Sequence, residues 1–335
     1  MATGMPIKVL FLSQEEVSAA GLRMAEAIPI IERALAEHGM KRVENPPKPG
    51  VHPSPGAFIH AMPGCIPGLG AVGVKWVSSY PTNASLGLPA VMGLMVVNDG
   101  NTGAPLAIMD CRWITAVRTG AVSAVAAKHL ARPDSQVVGL VGAGVQGRSN
   151  LLALKEVLPN LQIAKVFDIN PEALEAYIDE MKGKVTFSVE PVPSAEKAMR
   201  GADVIVTATG RIEDPVYREA WVGAGALVLP VHHRGWENQC FHRVDKLVAD
   251  DWAQLQQADR TVGGFYGPLP DLHAELGEII IGKMPGREDA SERIIDVNYG
   301  LAIEDVAMAN EILARARAKG LGTPLTLMSG DLVLG

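Results

Sequence analysis

The chain has few of the residues that staple, anchor or charge a protein for special surroundings. It has three cysteines, Cys65, Cys111 and Cys240, far apart and in no CxxC pair. A disulfide framework and a thiolate zinc centre are therefore excluded, and a reducing compartment is expected. It has no uninterrupted run of 18 apolar residues, and residues 1–17 lack a basic stretch leading into an apolar one. Neither a membrane span nor a secretory leader is expected, and the protein reads as cytoplasmic. Its 30 basic residues are outnumbered by 37 acidic ones, giving a net charge of −7, and they gather on no single segment. Nucleic acid is not an expected partner. The GxSxG turn of serine hydrolases is missing. His273-Ala274-Glu275 has the HxE form of zinc deaminases, but no PCxxC follows it, and His232-His233 with His242 has no usual ligand spacing. No metal is expected.

What is present is the material of a globular enzyme. Apolar residues make up 48% and charged residues 20% of 335, enough for packed cores and long enough for about two domains. Thirty-five glycines and 23 prolines imply many tight turns between short elements, the texture of an α/β protein. Residues 15–39 have helical apolar spacing through Met24, Ile28, Ile31 and Leu35, and residues 45–56 carry five prolines and read as extended surface chain. Strand-like runs at 71–78, 90–98 and 106–110 predict a mixed, mostly antiparallel sheet with a helix. A helix is predicted over 115–130. Beyond it, apolar runs at 137–141, 163–167, 204–207, 226–231 and 247–249 alternate with helical stretches, the pattern of a doubly wound parallel sheet. A long helix is predicted over 302–319.

Three features carry chemistry. Val137-Val138-Gly139-Leu140-Val141-Gly142-Ala143-Gly144-Val145-Gln146-Gly147 places GxGxxG between an apolar strand and a helix, and Asp168 ends the next strand 21 residues beyond Gly147. Backbone groups of Gly142, Ala143, Gly144, Val145, Gln146 and Gly147 can then seat a pyrophosphate, while Asp168 accepts from ribose hydroxyls and repels a 2′-phosphate. NAD(H) is therefore expected in preference to NADP(H). In Ala71-Val72-Gly73-Val74-Lys75-Trp76-Val77 the strand reads as buried on both faces, with Lys75 its one cation. A buried ammonium is costly unless paired, and the plain alternative is a strand-edge lysine reaching solvent. Arg118 falls in the first turn of the helix predicted from Thr115, where the macrodipole disfavours a cation. It is a carboxylate clamp or, equally, a surface ion pair.

Taken together, Gly73-Val74-Lys75, Thr115-Ala116-Val117-Arg118-Thr119-Gly120-Ala121, Gly142-Ala143-Gly144-Val145-Gln146, Glu275-Leu276-Gly277-Glu278 and Gly300-Leu301-Ala302-Ile303-Glu304-Asp305 resemble the ornithine cyclodeaminase/mu-crystallin family over nearly the whole chain. The resemblance implies a homodimer with a dimerisation and substrate domain of α+β type from residues 1–118 and 302–335, and a Rossmann domain from residues 119–301. It also implies an oxidoreductase acting on the C–N bond of a small amino or imino acid, as an imine reductase or amino-acid dehydrogenase. The family also contains cyclodeaminases that recycle NAD internally and a crystallin that binds a dinucleotide. By position Lys75 matches the family's active-site lysine and Arg118 its substrate-carboxylate arginine. Arg42 or Lys48 matches a further cation, and Thr207 and Thr209 match a cofactor-lining segment. Cyclodeaminases carry a Gly-Gly-Asp segment where this chain reads Leu229-Pro230-Val231-His232-His233-Arg234-Gly235. His233 or a neighbour stands in place of the aspartate, which weakens the cyclodeaminase expectation and makes His233 a second candidate acid–base group.

Overall fold

The computed structural model describes residues 6–210, 212–262 and 265–330. They form two compact units, one drawn from within 1–23, 42–115 and 301–335 and the other from 24–41 and 116–300.

The first unit is a seven-stranded sheet with one long helix on it. In spatial order the strands are β15 (Thr323–Met328), β1 (Ile7–Leu12), β6 (Pro105–Asp110), β5 (Val91–Asn98), β4 (Ala71–Ser79), β3 (Phe58–Ile66) and β2 (Gly50–Val51). Only β1 and β6 pair in parallel. Helix α10 (Ala302–Lys319) lies on β3, β4 and β5. Gly64 lets it come close, since a Cβ there would lie 3.0 Å from the Ala302 carbonyl carbon. One helical layer covers one face. Strand β4 therefore buries Ala71, Gly73, Lys75 and Val77 but leaves Trp76 52% exposed, which corrects the expectation of a strand buried on both sides.

The helical pattern predicted over 15–39 is two helices, α1 (Gln14–Ala19) and α2 (Met24–Gly39). Ser13 and Glu16 form a capping box at the start of α1, and Gly21 breaks the run at φ +76°. Helix α2 belongs to the second unit, so residues 24–41 depart from the expected division at 118 and 302. The reason is packing: α2 lies on α9 (Leu276–Ile280) so closely that a Cβ on Gly39 would sit 2.2 Å from the Gly277 carbonyl oxygen.

The second unit is an eight-stranded, wholly parallel sheet. Its order is β13 (Ala274–Glu275), β12 (Lys246–Ala249), β14 (Ile294–Val297), β11 (Leu227–Pro230), β10 (Val204–Thr207), β7 (Val137–Val141), β8 (Ile163–Phe167) and β9 (Ser188–Pro191). Helices α4 (Val145–Val157), α5 (Pro171–Lys182), α6 (Ala195–Met199), α7 (Asn238–His242) and α8 (Trp252–Val262) follow strands of this sheet. From β7 the chain winds outward through β8 and β9, then returns to place β10 on the other side of β7. That reversal opens a crevice at the carboxyl ends of β7 and β10, the usual seat of a ligand in such sheets. Helix α3 (Arg112–Leu130) starts a turn earlier than predicted, because the Asp110 carboxylate accepts from the Arg112 N–H at 2.9 Å. Arg118 is its seventh residue rather than part of its first turn, so the macrodipole argument made for it does not apply.

Candidate active site

The loop after β7 has the geometry of a dinucleotide seat, each glycine for a different reason. Gly142 sits at φ +107°, and a Cβ there would lie 2.5 Å from the Ala208 oxygen, against the chain leaving β10. Gly147 faces back on the turn, where a Cβ would meet the Gly142 oxygen at 2.1 Å. Gly144 caps helix α4 and has nothing within 4 Å of its Cβ position, so a ligand's phosphates can approach the backbone there. The Ala143 N–H donates to Asp168 Oδ2 at 2.7 Å, and the Asn170 N–H donates to Asp168 Oδ1 at 2.8 Å. The acid at the end of β8 is thus fixed at the glycine loop. Arg148 donates to the Ala143 and Gly144 carbonyls, and the Tyr177 hydroxyl donates to the Gly147 carbonyl at 3.2 Å. Neither residue was singled out from sequence. Beside Asp168 the Ile169 side chain is 90% exposed, and Val145 is 63% exposed.

Thr207 and Thr209 separate in role. Thr207 is fully buried and accepts from the Trp236 indole N–H at 3.0 Å, whereas Thr209 is half-buried and shares a 3.3 Å hydrogen bond with the Tyr217 hydroxyl.

In the same unit Arg118 lines a small pocket with Ser123, Pro230, Val231, Asp296 and Asn298. The Gly300 backbone, at φ +84°, lies against the guanidinium: a Cβ there would be 2.6 Å from Nη1. The Gly300 N–H in turn donates to the buried Asp250 at 2.6 Å. Asp296, 1% exposed at the end of β14, accepts from the Asn298 amide and was not anticipated, because the strand carrying it was not. His233 stacks on Phe265 at 4.5 Å and on His232 at 5.5 Å, with Tyr299 tilted against it at 6.4 Å.

In the first unit Lys75 is 2% exposed and is flanked across the sheet by Met62 and Met95. Its Nζ lies 2.5 Å from Oδ2 of Asp305, which is fully buried in the first turn of α10. A carboxylate there is favoured by the helix N-terminus and compensates the ammonium. Asp305 was part of a recognised motif but had no role assigned to it. The Cys111 thiol lies near both charges, and burial pushes it up to about 11, so it is not a thiolate nucleophile near neutral pH. Arg42 is exposed. Lys48 is half-buried, and its charge acts on His60. Among the described residues no group of three or more His, Cys, Asp or Glu side chains could hold a metal, and no helix is long and apolar enough to cross a membrane.

The model of the ornithine cyclodeaminase/mu-crystallin family matches residues 8–320. The nodulation efficiency protein NfeD of Rhizobium meliloti is 39% identical over 94% of this chain and 98% of its own. Among solved structures, the Thermococcus litoralis Δ1-pyrroline-2-carboxylate reductase in complex with NADH and L-proline is similar at TM-score 0.85 and 34% identity, covering 94% of this chain and 99% of that one. An archaeal alanine dehydrogenase dimer with bound NAD is similar at TM-score 0.85 and 33% identity, over 96% of this chain and 100% of that one.

Proposed function

The chain belongs to the ornithine cyclodeaminase/mu-crystallin family, and from that premise we propose that it is an NAD(H)-dependent oxidoreductase acting on the C–N bond of a small amino or imino acid. It works as an imine reductase or amino-acid dehydrogenase. One observation carries the reading: a complete dinucleotide loop and a buried, carboxylate-paired lysine occur in one chain. The nicotinamide supplies or accepts the hydride. Residues 142–147 seat the pyrophosphate. Asp168 takes the ribose hydroxyls and repels a 2′-phosphate, so NADH is preferred over NADPH. Ile169 offers the adenine an apolar surface, and Thr209 lines the cofactor.

Arg118 clamps the substrate carboxylate through its bidentate fork. As the C=N bond is reduced, its nitrogen takes up a proton, and the Lys75 ammonium is the donor; in the reverse direction the amine returns it. Asp305 keeps that proton on Nζ between turnovers. His233 is a second acid–base group for the reaction. Lys48, half-buried where Arg42 is exposed, is the further substrate-facing cation. The exposed face of the first unit's sheet carries Trp76 directly opposite Leu94, 52% and 43% exposed. An apolar face of this kind suits a second copy of the chain, and we read the protein as a homodimer.

The test is a panel of 2-oxo acids with ammonium or methylamine, together with cyclic imino acids, followed by NADH absorbance. Net loss of NADH is expected. Ornithine converted to proline and ammonia with no net change in NADH would instead make the protein a cyclodeaminase, and tight NADH binding with no turnover of any substrate would make it a binding protein.

A further inference from the structure

Of the basic side chains gathered beside Lys75, the mechanism above uses Lys48 as a substrate-facing cation and leaves His52 and His60 without a role. His60 on β3 pairs across the sheet with Val77, and Met62 pairs with Lys75. His60 is therefore a diagonal neighbour of Lys75 on the same face of the sheet. Its ring is clamped: Phe58 stacks on it at 4.2 Å and 21°, and a Cβ on Gly50 would lie 2.2 Å from its Cδ2. His52 stands edge-on at 6.1 Å. The Ala61 N–H donates to the Pro49 carbonyl at 3.0 Å, which ties the segment bearing Lys48 and His52 to β3. Helix α10, packed on the same face, brings Glu304 and Asp305, and Asp305 is bonded to Lys75.

A hydrophobic side chain would fill this corner at less cost, yet two imidazoles and a lysine are gathered beside the lysine assigned to proton transfer. Resting on that assignment of Lys75, we infer that Lys48, His52 and His60 form a second anion subsite, and that the substrate carries an acidic group on its side chain. The substrate class is the imine or amine of a 2-oxo dicarboxylic acid. Burial first, then the charges of Lys48, His52 and Lys75, push the free His60 imidazole down to about 4. A bound carboxylate opposes each of these cationic influences, so the ring takes up a proton on binding and the ligand binds more tightly as pH falls.

The experiment has two arms. In the first, NADH oxidation with ammonium compares oxaloacetate with 2-oxobutyrate and 2-oxoglutarate with 2-oxovalerate, chains of equal length that differ in the terminal carboxylate. The dicarboxylic member of at least one pair is expected to have a kcat/KM about tenfold higher or more. In His60→Phe, which keeps the stack on Phe58 and loses both nitrogens, that ratio falls by about tenfold, while NADH affinity reports that the variant is folded. In the second arm, calorimetry follows glutarate binding to the NAD-loaded protein from pH 8 to pH 6, in buffers of differing ionisation enthalpy. Tighter binding at pH 6 with proton uptake is expected, and both are lost in His60→Phe. Equal or better use of the monocarboxylic partners, or an unchanged ratio in His60→Phe, overturns the subsite. No turnover of any substrate counts against the oxidoreductase reading, and glutarate binding then decides the subsite separately: no binding, or binding without proton uptake, overturns it.

Discussion

Replacing Lys75 by methionine keeps most of the side chain's apolar stem but strands its partner. Asp305 is fully buried and 2.5 Å from the lost ammonium, so in the variant it has two choices. It can stay ionised without its cation, which costs about 3–5 kcal/mol. Otherwise it can take up a proton, and protonating a carboxyl that ordinarily titrates near ~3.9 costs about 4 kcal/mol at pH 7 and about 1.5 kcal/mol at pH 5. The two routes agree on a loss near 4 kcal/mol at neutral pH. Protonation fixes the sign below neutral pH: the deficit grows as pH rises, by about 1.4 kcal/mol per unit, until the cost of the unpaired ionised carboxylate caps it. Urea unfolding followed by tryptophan fluorescence reads this directly, since Trp76 adjoins the site. With an m-value of about 3 kcal/mol/M, the midpoint at pH 7 drops by more than ~1 M relative to wild type and recovers more than half of that at pH 5. Lys75→Met/Asp305→Leu, which removes both charges, comes back to within about 1–2 kcal/mol of wild type while remaining catalytically dead. A Lys75→Met protein as stable as wild type at pH 7, or a deficit that ignores pH, refutes the claim that this pair is buried and mutually dependent.

Three further outcomes follow from the second unit. Gly147→Ala pushes a methyl group into the Gly142 carbonyl, where no side chain can yield; NADH affinity measured by fluorescence titration should fall by about tenfold or more, and an unchanged Kd would remove this loop as the cofactor seat. Asp168→Ala removes both the ribose acceptor and the acceptor for the Ala143 N–H, so it should weaken NADH binding and narrow the gap between NADH and NADPH by about tenfold; wild-type preference for NADPH would contradict the assignment. Arg118→Lys retains charge without the fork, and its substrate KM should rise by about tenfold or more with NADH affinity intact; an unchanged KM would return Arg118 to a structural role against Gly300.

The parts of the fold that could be read from sequence are those where local signals agree with tertiary packing. Strands β7, β8 and β10 coincide with their predicted runs because central strands of a parallel sheet are buried on both faces and are written as unbroken apolar stretches. The glycine loop and Asp168 were legible for a related reason: steric need fixes residue type and spacing together. Strand β14 was missed because Asp296 interrupts its apolar run, and with it went the acid that shares a pocket with Arg118. Strands β1 and β15 pair with each other from opposite ends of the chain, a partnership no local window contains. The same holds for Asp305, whose helix was predicted over the observed residues 302–319, but whose contact with Lys75 depends on Gly64 admitting that helix to the sheet.

That pairing of distant segments sets an order of events for a chain emerging from the ribosome. Strands β3 to β6 can align as soon as they are made, but Lys75 then waits through 230 further residues for Asp305, and β1 waits longer still for β15. Helix α2, made among the first forty residues, likewise has its partner α9 only after residue 276. Such closures are entropically costly and slow, and they leave an apolar sheet face without its helix for most of synthesis. A ribosome that stalls or terminates between residues 148 and 302 therefore releases a chain with the nucleotide loop already written but the lysine unmatched. Products truncated in that range should be inactive and prone to aggregate, because the buried lysine and its sheet face are left without the last helix.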